Sequence, residues 1–124
     1  MAAPNIVNVS TITGKTAVAD LTTTAATSII SNAASSGKVF KVNSLIVSNV
    51  DGTNNADITI NYYSAASLGG TATEICKTVV VPADASLVVI DKSSSIYLEE
   101  DKSLGAIASA ASDLKVVCSY EEIS

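Results

Sequence analysis

A chain of 124 residues holds one domain with a single continuous core and is too short for two. The net charge is −5, with seven lysines and no arginine, so no basic stripe is on offer to nucleic acid or to an anionic membrane surface. Histidine is absent as well, which removes the commonest general base and the commonest transition-metal ligand, and with them most hydrolase triads and zinc sites.

Met1 to Asn5 lacks the charged and apolar regions of a signal peptide, and no run of about 18 apolar residues marks a membrane span, so synthesis in a cytoplasm is expected. Asn5 to Thr13 carries Ile6, Val7, Val9 and Ile12 in imperfect alternation, the pattern of a strand or an extended arm. After a turn at Gly14 and Lys15, the stretch Lys15 to Leu21 offers a short strand with Ala17, Ala19 and Leu21 on one face and Val18 on the other. Thr22 to Ser36 is rich in small residues, with Ile29 and Ile30 as its only bulky anchors; Thr and Ser compete for backbone hydrogen bonds and weigh against a helix, so Thr27 to Ala33 is read as a strand. Residues 1–36 are therefore expected to form an extended amino-terminal arm with short strands, followed by a β-sandwich core over residues 37–124, the whole being a single domain.

Lys38 to Tyr63 is the clearest structural sentence in the chain. Ile58, Ile60 and Tyr62 alternate with Asp57, Thr59 and Asn61, as in a half-buried strand. Phe40 and Val42 alternate likewise, but Leu45 and Val47 have slipped to odd positions, which places a β-bulge near Asn43 and Ser44. Between the two strands, Asp51 to Asn55 supplies turn residues, and the simplest connection is a hairpin. Beyond a loop at Ser64 to Gly70, strands are expected over Ala72 to Val81, stopped by Pro82, and over Leu87 to Ile90. Both are apolar on two faces, at Val79-Val80-Val81 and Leu87 to Ile90, and a strand of that kind is covered on both sides by its own chain or by a neighbouring subunit. Further strands follow over Ser95 to Glu99, Leu104 to Ala110 and Leu114 to Tyr120. Short strands at this spacing, with no convincing helix, predict an all-β fold: an antiparallel two-sheet sandwich, jelly-roll or immunoglobulin-like, with an extended N-terminal segment. The missing Cys, Trp, Cys pattern argues against a true immunoglobulin domain. With aromatics at only 4%, the core must be aliphatic and thin.

No catalytic constellation emerges. Cys76 and Cys118, each inside an apolar run, read as small buried hydrophobes rather than a disulfide or a metal site. Asp51, Thr53, Asn55 and Asp57 have the spacing of a calcium loop, but Gly52 is misplaced and Tyr62 stands where a bidentate Glu is needed, so an ordinary turn is the better reading. Glu99-Glu100-Asp101 reads as a solvated turn that discourages edge-to-edge sheet growth. No catalytic, metal or cofactor residues are assigned, and an enzyme is the least favoured class.

A resemblance sharpens this. Val81-Pro82-Ala83-Asp84-Ala85 leading into Leu87-Val88-Val89, then Ile96-Tyr97-Leu98-Glu99-Glu100, Ser103-Leu104 and Ser119-Tyr120-Glu121-Glu122-Ile123 resemble the end of small virion structural proteins of tailed bacteriophages of marine bacteria. Val47 to Thr53 with Ala56 to Thr59 belongs to the same pattern, and together they cover roughly Lys38 onward. The resemblance implies a compact β-sandwich in the virion, a capsid decoration (cement) protein that contacts the major capsid protein or other virion proteins and self-associates, with a trimer as the expected homo-oligomer. The expected assembly interface is Ile6, Val7, Val9, Ile12, Ile29 and Ile30, with the amino-terminal segment ordering across capsid subunits. A neck, tail or fibre-attachment protein of the same virion is the alternative. A carbohydrate-binding module, using Tyr62, Tyr63, Tyr97 or Tyr120 as a platform, is the competing class.

Overall fold

The computed structural model describes residues 8–124. Among these residues nine strands form two antiparallel sheets: β1 (Ile12–Asp20), β2 (Thr27–Asn32), β3 (Val39–Asn49), β4 (Ala56–Ala65), β5 (Gly69–Val81), β6 (Ser86–Ile90), β7 (Ile96–Leu98), β8 (Lys102–Ala108) and β9 (Leu114–Ile123). One sheet runs β1-β9-β3-β6, with β7 following β6 along the same side of β3; the other runs β2-β8-β4-β5. If β6 and β7 are counted as one interrupted edge, the chain is a long hairpin of four strand pairs, β1 with β9, β2 with β8, β3 with β6/β7 and β4 with β5, rolled so that successive pairs alternate between sheets. That order is the jelly roll, one of the two sandwich types expected from the strand spacing.

The expected bulge is present. Val42 pairs with Tyr120 and Ser44 with Ser119, so Asn43 is the extra residue, and the slip keeps Val42 and Leu45 both fully buried despite their odd separation. The expected hairpin is not. β3 and β4 lie in different sheets, and Asp51 to Asn55 is a crossover between them. Alternation shows only that one face of each strand is buried; in a sandwich that face can meet the facing sheet as readily as it can share a sheet with its neighbour in sequence.

The expected division at residues 36 and 37 does not follow the strand pairing. β1 pairs with β9 along its whole length and β2 pairs with β8, so each sheet takes one strand from the amino-terminal segment. Ile29 and Ile30 are buried in the common core with Leu104, Ala106 and Ile60. Their placement there removes them from the expected assembly interface.

Inward side chains from both sheets form one cluster, including Val42, Leu45, Val47, Val116 and Cys118 from the first and Ile58, Ile60, Leu104 and Ala106 from the second. Phe40 and Tyr120 supply its aromatic contact, with ring centroids 5.2 Å apart and tilted by 43°. Two buried asparagines close the ends. Asn49 donates from Nδ2 to the carbonyls of Asn54 (3.0 Å) and Val81 (2.9 Å), and its Oδ1 accepts from the Asp51 amide at 2.9 Å. At the opposite end Asn32 donates to the carbonyls of Lys38 (2.9 Å) and Leu98 (3.1 Å) and accepts from the Ser36 hydroxyl at 2.6 Å. Each amide thereby ties together connections that pass between the sheets.

The β4–β5 loop folds over the outer face of its own sheet. Leu68, in the left-handed region at φ 61°, donates its amide to Ser103 Oγ, while Ser67 donates to Ser31 Oγ. Beneath it Gly105 leaves room for the loop: a Cβ there would lie 2.6 Å from Leu68 Cδ2 and 2.9 Å from Tyr63 Cε2, and those side chains would have to move aside.

Replacing Asn49 with Ala strands the buried Val81 carbonyl and breaks two part-buried bonds, to the Asn54 carbonyl and from the Asp51 amide. The expected loss is about 3 kcal/mol, read as a lower urea midpoint at unchanged slope; a midpoint equal to that of the native chain would show that water replaces the amide without cost.

Candidate functional site

The side chains expected to act together do not converge. Ile6 and Val7 lie outside the described residues. Val9 is half-buried, and Ile12 is 58% exposed on the outward face of β1, beside Ile123 and then Val39 in register. The four tyrosines sit in four places: Tyr62 near the seam between the sheets, Tyr63 under the β4–β5 loop, Tyr97 outward on β7 and Tyr120 against the core. No aromatic platform results.

The acidic turns are occupied by their own loops. Asp51 Oδ1 accepts from the amides of Thr53 (2.8 Å) and Asn54 (3.3 Å), and Oδ2 accepts from Asn54 Nδ2 (3.2 Å). These bonds, the Thr53 amide first, hold its carboxyl below the usual value. Asp91 caps a single 3-10 turn at Lys92–Ser94 in the same manner. Glu100 and Asp101 accept from the amides of Gly37 and Ala66, so part of the expected solvated turn joins the loops at one end of the sandwich. Among the described residues no group of three or more His, Cys, Asp or Glu side chains is placed to hold a metal.

Both thiols are free, and they belong to different sheets, Cys76 to β5 and Cys118 to β9. Burial pushes the Cys118 thiol up to about 12 and raises Cys76 as well. Neither is an activated nucleophile, which would need a depressed value.

What the surface does offer is apolar. Reading the pairing across the first sheet, Val18 on β1 stands opposite Val117 on β9, Val117 opposite Ile46 on β3, and Ile46 opposite Val88 on β6. All four point outward, away from the core, and form one unbroken row of β-branched side chains across the four strands. Val18 is 72% exposed, Val88 56% and Val117 38%. On one side the row is bounded by Thr16, Ser119 and Ser44; on the other by Asp20 and Lys115, paired at 3.1 Å, and then Ser48 and Ser86. A second apolar surface is a groove of about 270 Å³ at the seam where the edges β5 and β6/β7 face each other, lined by Tyr62, Ile75, Val89, Ile90, Ser94 and Ile96. Burial, and then the Glu99 carboxylate, raise the Tyr62 phenol above its ordinary value.

The sequence carried a faint sign of both surfaces. Val18 stood out as the apolar residue on the wrong face of its strand, and Val79 to Val81 and Leu87 to Ile90 as strands apolar on two sides. The row itself needs the register of three strand pairs, which no local pattern contains.

No protein-family model matches the chain, and no curated protein matches it either.

Two titrations follow. The Asp51 carboxyl, lowered in the folded state, stabilises the fold above the unfolded value near 3.8, and that contribution disappears as pH falls through the folded value. Asp51→Asn should flatten the acid limb of a stability profile below pH 4 (about one Asp titration), and an unchanged limb would remove Asp51 as its source. Cys118 runs in the opposite sense: between the unfolded value near 9.0 and the folded value of about 12, the unfolded thiol ionises first, so stability falls as pH rises through that window. Cys118→Ala should lessen that fall in an alkaline urea series, and equal slopes for the two proteins would refute the assignment.

Proposed function

We propose that this chain is a non-enzymatic structural protein of a tailed-bacteriophage particle, a decoration (cement) protein that binds the head shell. The observation that carries the reading is the pair of apolar surfaces on different sides of one rigid sandwich, the outward row of the β1-β9-β3-β6 sheet and the groove at the β5/β6 seam. A protein that cements a shell has to hold two things at once, and two such surfaces on a small domain suit that task. Contiguous exposed apolar patches on a small soluble domain mark sites of association rather than accidents of composition.

Two further observations support it. The resemblance to small virion proteins runs from Lys38 onward, through seven of the nine strands. The jelly roll is a recurrent design of viral shells, though lectins and cupins share it, so the fold adds weight without deciding the matter. With no histidine, with thiols whose ionisation burial disfavours, and with no group of three or more His, Cys, Asp or Glu placed to hold a metal among the described residues, adhesion is the chemistry the surface best serves. The partner on this reading is the major capsid protein, and the groove, with aliphatic walls and a phenol at its rim, suits an aliphatic side chain presented by the shell.

Immunogold labelling of purified particles with an antibody to this chain tests the proposal. Gold over the whole head is the expected result. Label confined to the neck or tail would move the protein to a connector role, and unlabelled particles would end the virion reading altogether.

A further inference from the structure

We infer that the outward face of the β1-β9-β3-β6 sheet is a self-association surface, on which a second copy of this chain stacks by a two-fold axis lying in the plane of the sheet. The inference rests on reading that face as an adhesion surface and goes further in naming what covers it.

The first argument is self-complementarity. Val18, Val117, Ile46 and Val88 run straight across four strands, perpendicular to the chain direction. A two-fold along the strands lays Val18 on the partner copy's Val88 and Val117 on its Ile46; a two-fold along the row lays each residue on its own mate. Either operation sets aliphatic side chains against aliphatic side chains. In isologous contacts the same patch serves both subunits, and a straight row meets that condition where a scattered patch would not. Sheets stacked face to face about 10 Å apart, as within the sandwich itself, give the geometry.

Charge points the same way. The chain is acidic overall, at −5, yet this face is balanced: Asp20 is bonded to Lys115, and Lys41 lies opposite Glu121 in the strand register. The two-fold along the strands sets Asp20 against Ser86 of the second copy and Lys115 against its Ser48; the two-fold along the row sets them against Thr16 and Ser119. Neither sets Asp20 or Lys115 against a like charge, and the two-fold along the strands also sets Glu121 against Lys41 of the second copy. A balanced face offers little to a strongly basic or acidic partner, and a second copy is the occupant it does not repel.

Area fixes the strength. Four strands at about 4.8 Å spacing and roughly nine residues at about 3.3 Å each make a face near 500 Å². Two copies would bury about 1,000 Å² in total, at the lower limit for a specific interface and short of the roughly 1,600 Å² of a standard one. A contact of this size belongs with weak, reversible associations, most populated where copies are concentrated, as on a particle surface.

Sedimentation equilibrium of the full chain, from micromolar to millimolar concentration, provides the test. The native chain should pass from monomer to dimer within that range. Val18→Glu and Val88→Glu, both at well-exposed edge positions, should each raise the dissociation constant at least about tenfold by burying a charge without a partner. Val80→Glu is the control, since Val80 is 52% exposed but lies on β5 in the other sheet, and it should leave association unchanged. Added salt should preserve or strengthen the dimer by screening the net repulsion between acidic chains. A monomer at every concentration, a dimer indifferent to Val18→Glu and Val88→Glu, or one equally weakened by Val80→Glu would overturn the inference. Gold labelling of heads by a chain that stays monomeric would do so too, while leaving the cement reading in place.

Discussion

The fold depends on two carboxamides. A jelly roll sends its chain from one sheet to the other at every turn of the roll, and each passage brings backbone amides and carbonyls into a region where no strand partner is available. Asn49 and Asn32, both buried, stand at opposite ends of the sandwich and satisfy those groups. Asn49 joins the β3–β4 crossover to the end of β5, and Asn32 joins the β2–β3 connection to the end of β7. Neither can be replaced by an aliphatic residue without leaving polar backbone unpaired, so the crossovers and the core packing stand or fall together.

The core these clips enclose is built almost wholly from Val, Ile, Leu and Ala. Such side chains bury less area each than aromatics do, and a thin core tolerates few defects. The structure compensates with continuity: every strand, including the two amino-terminal ones, contributes to the same pair of sheets. The β4–β5 loop adds a second layer on one outer face, where Leu68 and Tyr63 cover Gly105. Among the described residues no loop is folded in that way over the Val18–Val88 row. The asymmetry between the two outer faces is what turns an ordinary sandwich into one with a side suited to company.

Chemically the molecule is quiet. Asp51 and Asp91 are engaged in holding turns, burial disfavours ionisation of both thiols, and the phenols are dispersed. A binding role asks less of individual functional groups than catalysis does and more of surface shape, and shape is where this chain departs from an unadorned globular surface.

Much of this was legible in the sequence. Alternation at Ile58, Ile60 and Tyr62, the parity slip around Asn43, the stop at Pro82 and the turn residues between short runs determined an all-β chain, most of its strand positions and one bulge, because those features depend on neighbours within a few residues; the turn expected at Gly14 and Lys15 is instead part of β1. The partner of each strand was decided only by the tertiary structure. The Asp51 turn reads as a hairpin and is a crossover, and the short strands expected within the amino-terminal arm are members of both sheets. Ile29 and Ile30 read as an interface and lie in the core, while Val18, Val117, Ile46 and Val88, spread over about a hundred residues of chain (18 to 117 on the numbering), meet in one row. The physical reason is that period-two alternation specifies which side of a strand avoids water, whereas pairing and register are set by how all nine strands share a single core.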